Sequence, residues 1–242
     1  MPPELAAQSV FDALNQRVIA CERCPRLRAY CTEVARKRRR AYRDETYWGR
    51  PVPGFGDPAA RVLILGLAPG AHGSNRTGRP FTGDGSGDFL YPVLYEAGFA
   101  SQPAARSRDD GMKLRDVLIT SVGRCAPPGN KPAPEELANC ASWLDEEIAL
   151  LTRLCVVVCL GHIAWNGYLQ HLRRRSYAVR ASDYPFRHGV EYEMPDGVML
   201  LGSYHPSLQN TNTGRLTRAM FLDIFARARL LASRGSKKAA RA

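Results

Sequence analysis

The sequence predicts an α/β fold, a three-layer α/β/α arrangement around a parallel sheet, and three observations predict it. Short apolar runs alternate with helical patterns along the chain, as in parallel sheets covered by helices on both faces. The first clear run, Arg61–Leu65, enters a Gly-rich stretch, Gly66–Phe89, and then a helical pattern at Phe89, Leu90, Val93 and Leu94. Strand, long loop and helix in that order mark the ligand-binding edge of open α/β sheets. Hydrophobic residues make up 45% of the 242-residue chain, enough to bury a core, and no apolar run nears the about eighteen residues that span a membrane.

Taken in order, Val10, Leu14 and Val18 recur four apart with Phe11 beside them, so residues 4–20 read as a helix. Cys21-x-x-Cys24 and Pro25 follow, then a very basic helix, Leu27–Arg40. Residues 42–60, with Tyr42, Tyr47, Trp48 and several Gly and Pro, read as an aromatic-studded connector. Arg61–Leu65, Val117–Ser121, Leu154–Leu160 and Val198–Gly202 are four core strands, apolar enough to be buried on both faces. Val190–Met194 reads as a short edge strand. Helices are expected at Phe89–Ala97, from Pro134 to about Arg153, at Gly161–Leu172 and at Leu216–Leu231. Pro134 at the helix start, followed by Glu135 and Glu136, suits the positive end of a helix dipole. The expectation is one domain over residues 1–232, with an N-terminal helical layer, and a basic, disordered tail over 233–242.

The formal net charge is +11, with basic runs at Arg36–Arg40, Arg173–Arg175 and the C-terminal tail. Clustered positive charge favours a polyanion, most simply nucleic acid. A membrane surface would also accept it, but no amphipathic helix with exposed aromatics accompanies the clusters. The N-terminus lacks a basic leader and carries Glu4, so no secretory signal is expected. A monomeric, cytoplasmic and nucleoid-associated protein is expected, with no membrane partner.

Seven cysteines, an odd number, argue against a disulfide framework in such a compartment. Cys155 and Cys159 are four apart on an apolar run and read as buried thiols on one face. Cys21 and Cys24, with Cys125 and Cys140, would supply four thiolates from distant segments. That set suits either a zinc ion or an iron–sulfur cluster, and spacing does not choose. Cys31, two helical turns past Cys24, is a rival fourth ligand.

Two loops leaving strand ends carry the remaining chemistry, and strand ends of a parallel sheet share one edge. Asp84, between two glycines, is either an Asx turn or a carboxylate that orients water or stabilises a cation. Asp88 is the alternative helix cap. His205, stiffened by Pro206, suits stabilisation of a developing anion. His72 competes with it from the Gly-rich loop, His162 is expected at a helix start, and His171 and His188 at the surface. Asn130, in the Pro-rich loop after the second core strand, would add an amide. The Gly-rich stretch has neither the Lys-Ser/Thr ending of a P-loop nor GxGxxG spacing, which excludes a nucleoside triphosphate site.

Gly66-Leu-Ala-Pro-Gly70 with the run through Asp84, Arg124-Cys-Ala-Pro-Pro-Gly-Asn-Lys131, His205-Pro-Ser207 and Cys21-x-x-Cys24 together resemble the iron–sulfur uracil-DNA glycosylases. The likeness is greatest to family 5, the b class, over roughly residues 18–230. The resemblance implies a central four-stranded parallel sheet and a 4Fe-4S cluster on Cys21, Cys24, Cys125 and Cys140. It implies a base pocket built from Gly66, Leu67, Ala68, Gly70, His72, Phe81, Ser121 and Ser207, with Phe81 stacking on the flipped base. His205, Asp84 and Asn130 become the expected catalytic residues. Leu67 stands where family 4 has a Glu, and Ser121 where it has an Asn, which counts against strict uracil selectivity; the resemblance to family 5 implies a broad-range enzyme. The expected activity is monofunctional removal of uracil, and of hypoxanthine, xanthine and ethenocytosine, from DNA in base excision repair. Extruding a base and stacking it on an aromatic face fits these residues. The loop Pro206–Gly214 is expected to wedge at the lesion. A non-catalytic iron–sulfur protein that binds DNA lesions, or a zinc-stabilised binding module, is the alternative.

Overall fold

A computed structural model describes residues 3–239 of the chain. Its centre is a six-stranded sheet in the order β1-β3-β2-β4-β6-β5. The strands are β1 (Phe55–Gly56), β2 (Val62–Gly66), β3 (Val117–Ser121), β4 (Val156–Leu160), β5 (Glu191–Glu193) and β6 (Met199–Ser203). The four expected core strands are the parallel ones, paired β3–β2–β4–β6. The four-strand count is too low, because an antiparallel strand closes each edge. β5 is the expected edge strand. β1 lies inside the expected connector, where two residues between glycines and prolines carry no alternation to read.

The helices are α1 (Pro3–Ile19), α2 (Pro25–Lys37), α3 (Ser74–Thr77), α4 (Gly85–Glu96), α5 (Pro134–Leu150), α6 (His162–Arg174), α7 (Leu208–Asn212) and α8 (Arg218–Ala239). Alternation along the strands divides the interior into two cores. Val62, Ile64, Val156 and Val158 face α4 and α8 through Leu90, Phe221 and Phe225. Leu63, Leu65, Val157 and Cys159 face α1, α5 and α6 through Phe11, Leu144 and Trp165. Burial of each such large apolar side chain stabilises the fold by about 1.5–3 kcal/mol. The expected N-terminal helical layer forms where α1 lies against α5, closed by Leu14, Val18 and Trp143.

Several boundaries move for local reasons. α2 stops at Lys37 because Arg38 takes a left-handed φ of 53°, so Arg38–Arg40 leave the helix. α4 starts at Gly85, capped by Asp84 rather than Asp88. The short α3 and α7 lie inside stretches with no apolar period. α8 continues through 233–239, where a disordered tail is expected; the last part of that tail, 240–242, lies outside the described residues. Cys155 precedes β4 and packs into the first core while Cys159 packs into the second, so the two thiols do not share a face.

Candidate active site

β2 ends at Gly66, and its loop folds back over the strand. Phe81 lies across Gly66, where a Cβ would come within 3.0 Å of the ring. Phe81 holds a left-handed φ of 50°, a conformation that persists only where its surroundings over-determine it. They do so here. Arg79, 2% exposed, forms a two-pronged ion pair with Asp110 at 2.7–2.8 Å and donates to Thr82 Oγ1 at 2.9 Å. Tyr91 donates its hydroxyl to Pro80 O at 2.9 Å. Gly87 has no Cβ because one would lie 1.8 Å from Phe81 O.

Asp84 caps α4 by accepting the Ser86 and Gly87 N–H groups on Oδ1, both at 3.1 Å. Among the described residues no hydrogen-bond donor reaches Oδ2, which sits over Gly73, where a Cβ would lie 1.8 Å from it. Burial pushes the Asp84 carboxyl above the usual carboxylate range, against the pull of those two N–H groups. One oxygen is therefore structural and the other is available.

The second loop leaves β6. Among the described residues His205 has no ion-pair partner, and burial pushes its imidazole down to about 4, so it is neutral at physiological pH. Its carbonyl accepts from Asn210 Nδ2 at 2.8 Å. Ser207 caps α7 through the Asn210 N–H. The loops meet at two places: the Phe81 and His205 rings lie 5.8 Å apart at 34°, and Leu208 covers Gly85. Between them lies a cavity of about 500 Å³ lined by Leu67, Ala68, Gly70, Phe81, Asp84, Ser121, Asn130, His205 and Ser207. That volume falls in the range of small-molecule pockets.

The expected residues mostly converge, with two exceptions. Gly66 lies beneath Phe81 rather than on the cavity wall. His72 turns away from the cavity and bonds the Tyr47 hydroxyl through Nδ1 at 3.1 Å. Asn130 is exposed at the rim, with a left-handed φ of 58°. Ser121 Oγ donates to Gly123 O at 2.8 Å, which leaves it acceptor capacity toward the cavity. Leu67 offers no polar atom there. Leu208, an exposed apolar residue at 59%, lines the mouth; a lone Leu in a polar loop is the sequence signal for it. The buried Arg76 and Arg79 in Arg-Thr-Gly-Arg are likewise visible only as charges inside a Gly-rich loop.

The other histidines sort differently from expectation. His162 begins α6 as expected. His171 is 1% exposed, not at the surface, and meets Asp145 at 2.6 Å. His188 is half-buried, stacks on Tyr204 at 5.1 Å and accepts the Tyr204 N–H at 3.2 Å. It supports the residue before His205. Arg173 and Arg174 are also engaged internally, by Val179 O and Asp145.

The expected cysteine ligands come from three segments: the α1–α2 junction, the loop after β3, and α5. Cys24, Cys125 and Cys140 are buried and Cys21 is partly so. Burial pushes the Cys140 thiol up, with Cys24 and Cys21 near enough to add to it. Cys31 shares an apolar cluster with Cys24 and Cys125 and donates to Ala126 O at 3.6 Å. Among the described residues no three His, Cys, Asp or Glu side chains are drawn together as a formed metal site. Among the described residues two buried N–H donors in this region have no acceptor: Arg124 Nε, next to Cys125, and Trp143 Nε1, in α5 after Cys140. Among the described residues no helix is long and apolar enough to cross a membrane.

Comparison with known proteins places these features in a family. A model described as the uracil DNA glycosylase superfamily matches residues 53–229. The type-5 uracil-DNA glycosylase of Thermus thermophilus is 56% identical over 221 residues, which cover 91% of this chain and 98% of that protein. The Mycobacterium bovis protein of the same name is 49% identical, over 90% of this chain and 81% of its own length. The Pyrobaculum aerophilum one is 46% identical, over 90% and 92%.

Proposed function

The chain belongs to the uracil-DNA glycosylase superfamily, among its type-5 members, and on that premise we propose that it hydrolyses the N-glycosidic bond of uracil in DNA. The observation that carries the reading is the facing pair of Phe81 and His205, 5.8 Å apart, in one cavity with Asp84. Phe81 supplies a π face for an extruded base. As the bond to the sugar breaks, negative charge builds on the base and positive charge on the sugar. Neutral His205 donates a hydrogen bond to the departing base. Asp84, through Oδ2, faces the sugar side, where a carboxylate stabilises the cation and orients water. Leu67 takes no part, so the water-orienting carboxylate comes from the helix cap.

We extend the proposal to hypoxanthine, xanthine and ethenocytosine. What supports it is Ser121, whose hydroxyl hydrogen is committed to Gly123 O and cannot read a uracil edge as a fixed amide would. The test is a panel of duplexes, each with one altered base, assayed for free base released. Release from the uracil duplex and from at least one purine lesion is expected; no release from uracil would sink the reading.

A 4Fe-4S cluster held by Cys21, Cys24, Cys125 and Cys140 belongs to the same proposal. The residues fit such a group: three of the thiols are buried, and Arg124 Nε and Trp143 Nε1 are donors without acceptors, as an anionic cluster would use. Cys31 fits less well because its thiol already has Ala126 O. When bound, the cluster supplies a cross-link between α2, α5 and the loop after β3. A brown protein with broad visible absorption, bleached by Cys140→Ser but not by Cys31→Ser, is the expected result.

A further inference from the structure

We propose that Arg76 is a positioning residue for Asp84, and that Tyr42 and Glu45 of the connector that follows the basic α2 segment hold it in place. The inference rests on the glycosylase reading above. Arg76 is 7% exposed, so it does not present its charge to solvent or to a ligand. Its guanidinium instead spends its donors on three separate pieces of chain. Nε donates to His72 O at 2.8 Å, and Nη2 donates to Gly83 O at 2.6 Å. Nη1 meets the Glu45 carboxylate, and the Tyr42 ring lies 3.9 Å beneath the guanidinium carbon. The Arg76 carbonyl in turn accepts the Trp48 N–H at 2.8 Å.

Gly83 immediately precedes Asp84 and takes a φ of 79°. A Cβ at Gly83 would lie 2.4 Å from Arg76 Nη2, so the glycine is what lets the guanidinium reach the peptide. Holding the Gly83 carbonyl fixes the peptide plane from which the Asp84 side chain projects. With Oδ1 committed to Ser86 and Gly87, that plane sets where Oδ2 points. A planar fork that binds two carbonyls and a carboxylate at once is an arginine property; a lysine ammonium keeps the charge without the geometry.

The same guanidinium acts on Asp84 through space. The groups facing the Asp84 carboxylate are the Ser86 and Gly87 N–H groups, Asp88 on the first turn of α4, Arg76 from α3 and the Tyr91 phenol. Of these side chains only Arg76 is cationic; against burial it adds a smaller pull toward the charged form to that of the Gly87 and Ser86 N–H groups. The opposite side of Arg76 is anchored in residues 42–48, the segment that continues from the exposed Arg38–Arg40. Arg39 is tied to the same loop by its N–H to the Tyr47 hydroxyl at 3.3 Å, and that hydroxyl bonds His72 at 3.1 Å.

The experiment compares the wild-type chain with Arg76→Lys, Arg76→Met and Tyr42→Ala. It measures single-turnover uracil release against pH, and affinity for a duplex carrying an uncleavable 2′-fluorinated deoxyuridine. Arg76→Met is expected to lose roughly 10–100-fold in maximal rate, the scale of a misplaced catalytic group. Its acidic limb moves to higher pH because Asp84 loses its cation, while duplex affinity stays within about threefold. Arg76→Lys keeps the limb of the wild type but remains about tenfold slow. Tyr42→Ala falls between wild type and Arg76→Met in rate. An affinity loss that matches the rate loss, with the limb unmoved, overturns the proposal by making Arg76 a DNA contact or a purely structural group. If Arg76→Met does not fold, Arg76→Lys at wild-type rate overturns it equally. A wild-type chain that releases no uracil fails the glycosylase reading and this inference together; an active wild type with indifferent variants fails this inference alone.

Discussion

The two loops that form the cavity are built on opposite principles. The loop after β2 is held by the largely buried ion pair of Arg79 and Asp110 and by the buried Arg76, which bonds two carbonyls and the exposed carboxylate of Glu45. The loop after β6 is held by neutral, part-buried hydrogen bonds: Asn210 to His205 O, and the Ser207 cap on α7. Its tip, Leu208, is exposed. Buried ion pairs are costly to break, so the first loop keeps Phe81 and Asp84 at a fixed spacing. Neutral bonds of this kind are cheaper to exchange than a buried ion pair, so the second loop has more freedom to adjust while still carrying His205. The asymmetry assigns rigidity to the loop that carries Phe81 and Asp84 and compliance to the loop that carries Leu208 at the cavity mouth.

The sharpest way to break this contrast is Asp110→Ala. It strands the Arg79 charge, and a loss of about 3–5 kcal/mol in unfolding free energy is expected; denaturant titration checks it. A change under about 1 kcal/mol would mean that the first loop is not held by buried charge. His205→Ala tests the second loop's chemistry rather than its scaffold. Base release should fall about 10²–10³-fold, the scale of one lost transition-state donor, while affinity for an uncleavable duplex persists. Unchanged turnover would remove His205 from the mechanism.

The pH dependence of stability separates the loops next. His205 has a folded pKa of about 4, below the 6.5 of the free side chain. Between those values the unfolded chain binds the extra proton, so His205 lowers stability as pH falls from 6.5 toward 4 and has no effect above. Asp84 has the opposite sign: its raised pKa favours the folded state as pH falls. Unfolding titrations of wild type and His205→Ala should therefore diverge below pH 6.5, with the variant losing less; parallel curves would contradict the burial of His205. The smallest effect belongs to Asn210→Ala, which deletes one part-buried neutral bond. A loss of about 0.5–1.5 kcal/mol is expected, and a loss as large as that of Asp110→Ala would erase the contrast.

Much of this was legible in the residues. The four parallel strands announce themselves as continuous apolar runs, since a strand buried on both faces needs no polar alternation. The cavity residues follow, because loops from neighbouring parallel strands must share an edge; Phe81, Asp84, Ser121 and His205 meet there. What was not legible lacks a period. β1 is two residues long, and α3 and α7 are single turns, so neither leaves a pattern to count. His171 reads as a surface residue among arginines, yet its carboxylate partner Asp145 lies on another helix.

The sequence by itself determined the four parallel strands, the family and the identities of most groups that line the cavity, because these depend on local periodicity and on motifs contiguous along the chain. Only the tertiary structure decided their roles. It made Asp84 both cap and candidate base, turned His72 away from the cavity toward Tyr47, and placed Arg76 between Glu45 and Gly83. The physical reason is that a charge carries no address. An arginine in a Gly-rich loop can face water, phosphate or a buried carbonyl with the same neighbours in sequence, and only the folded chain, by excluding water, selects its partner.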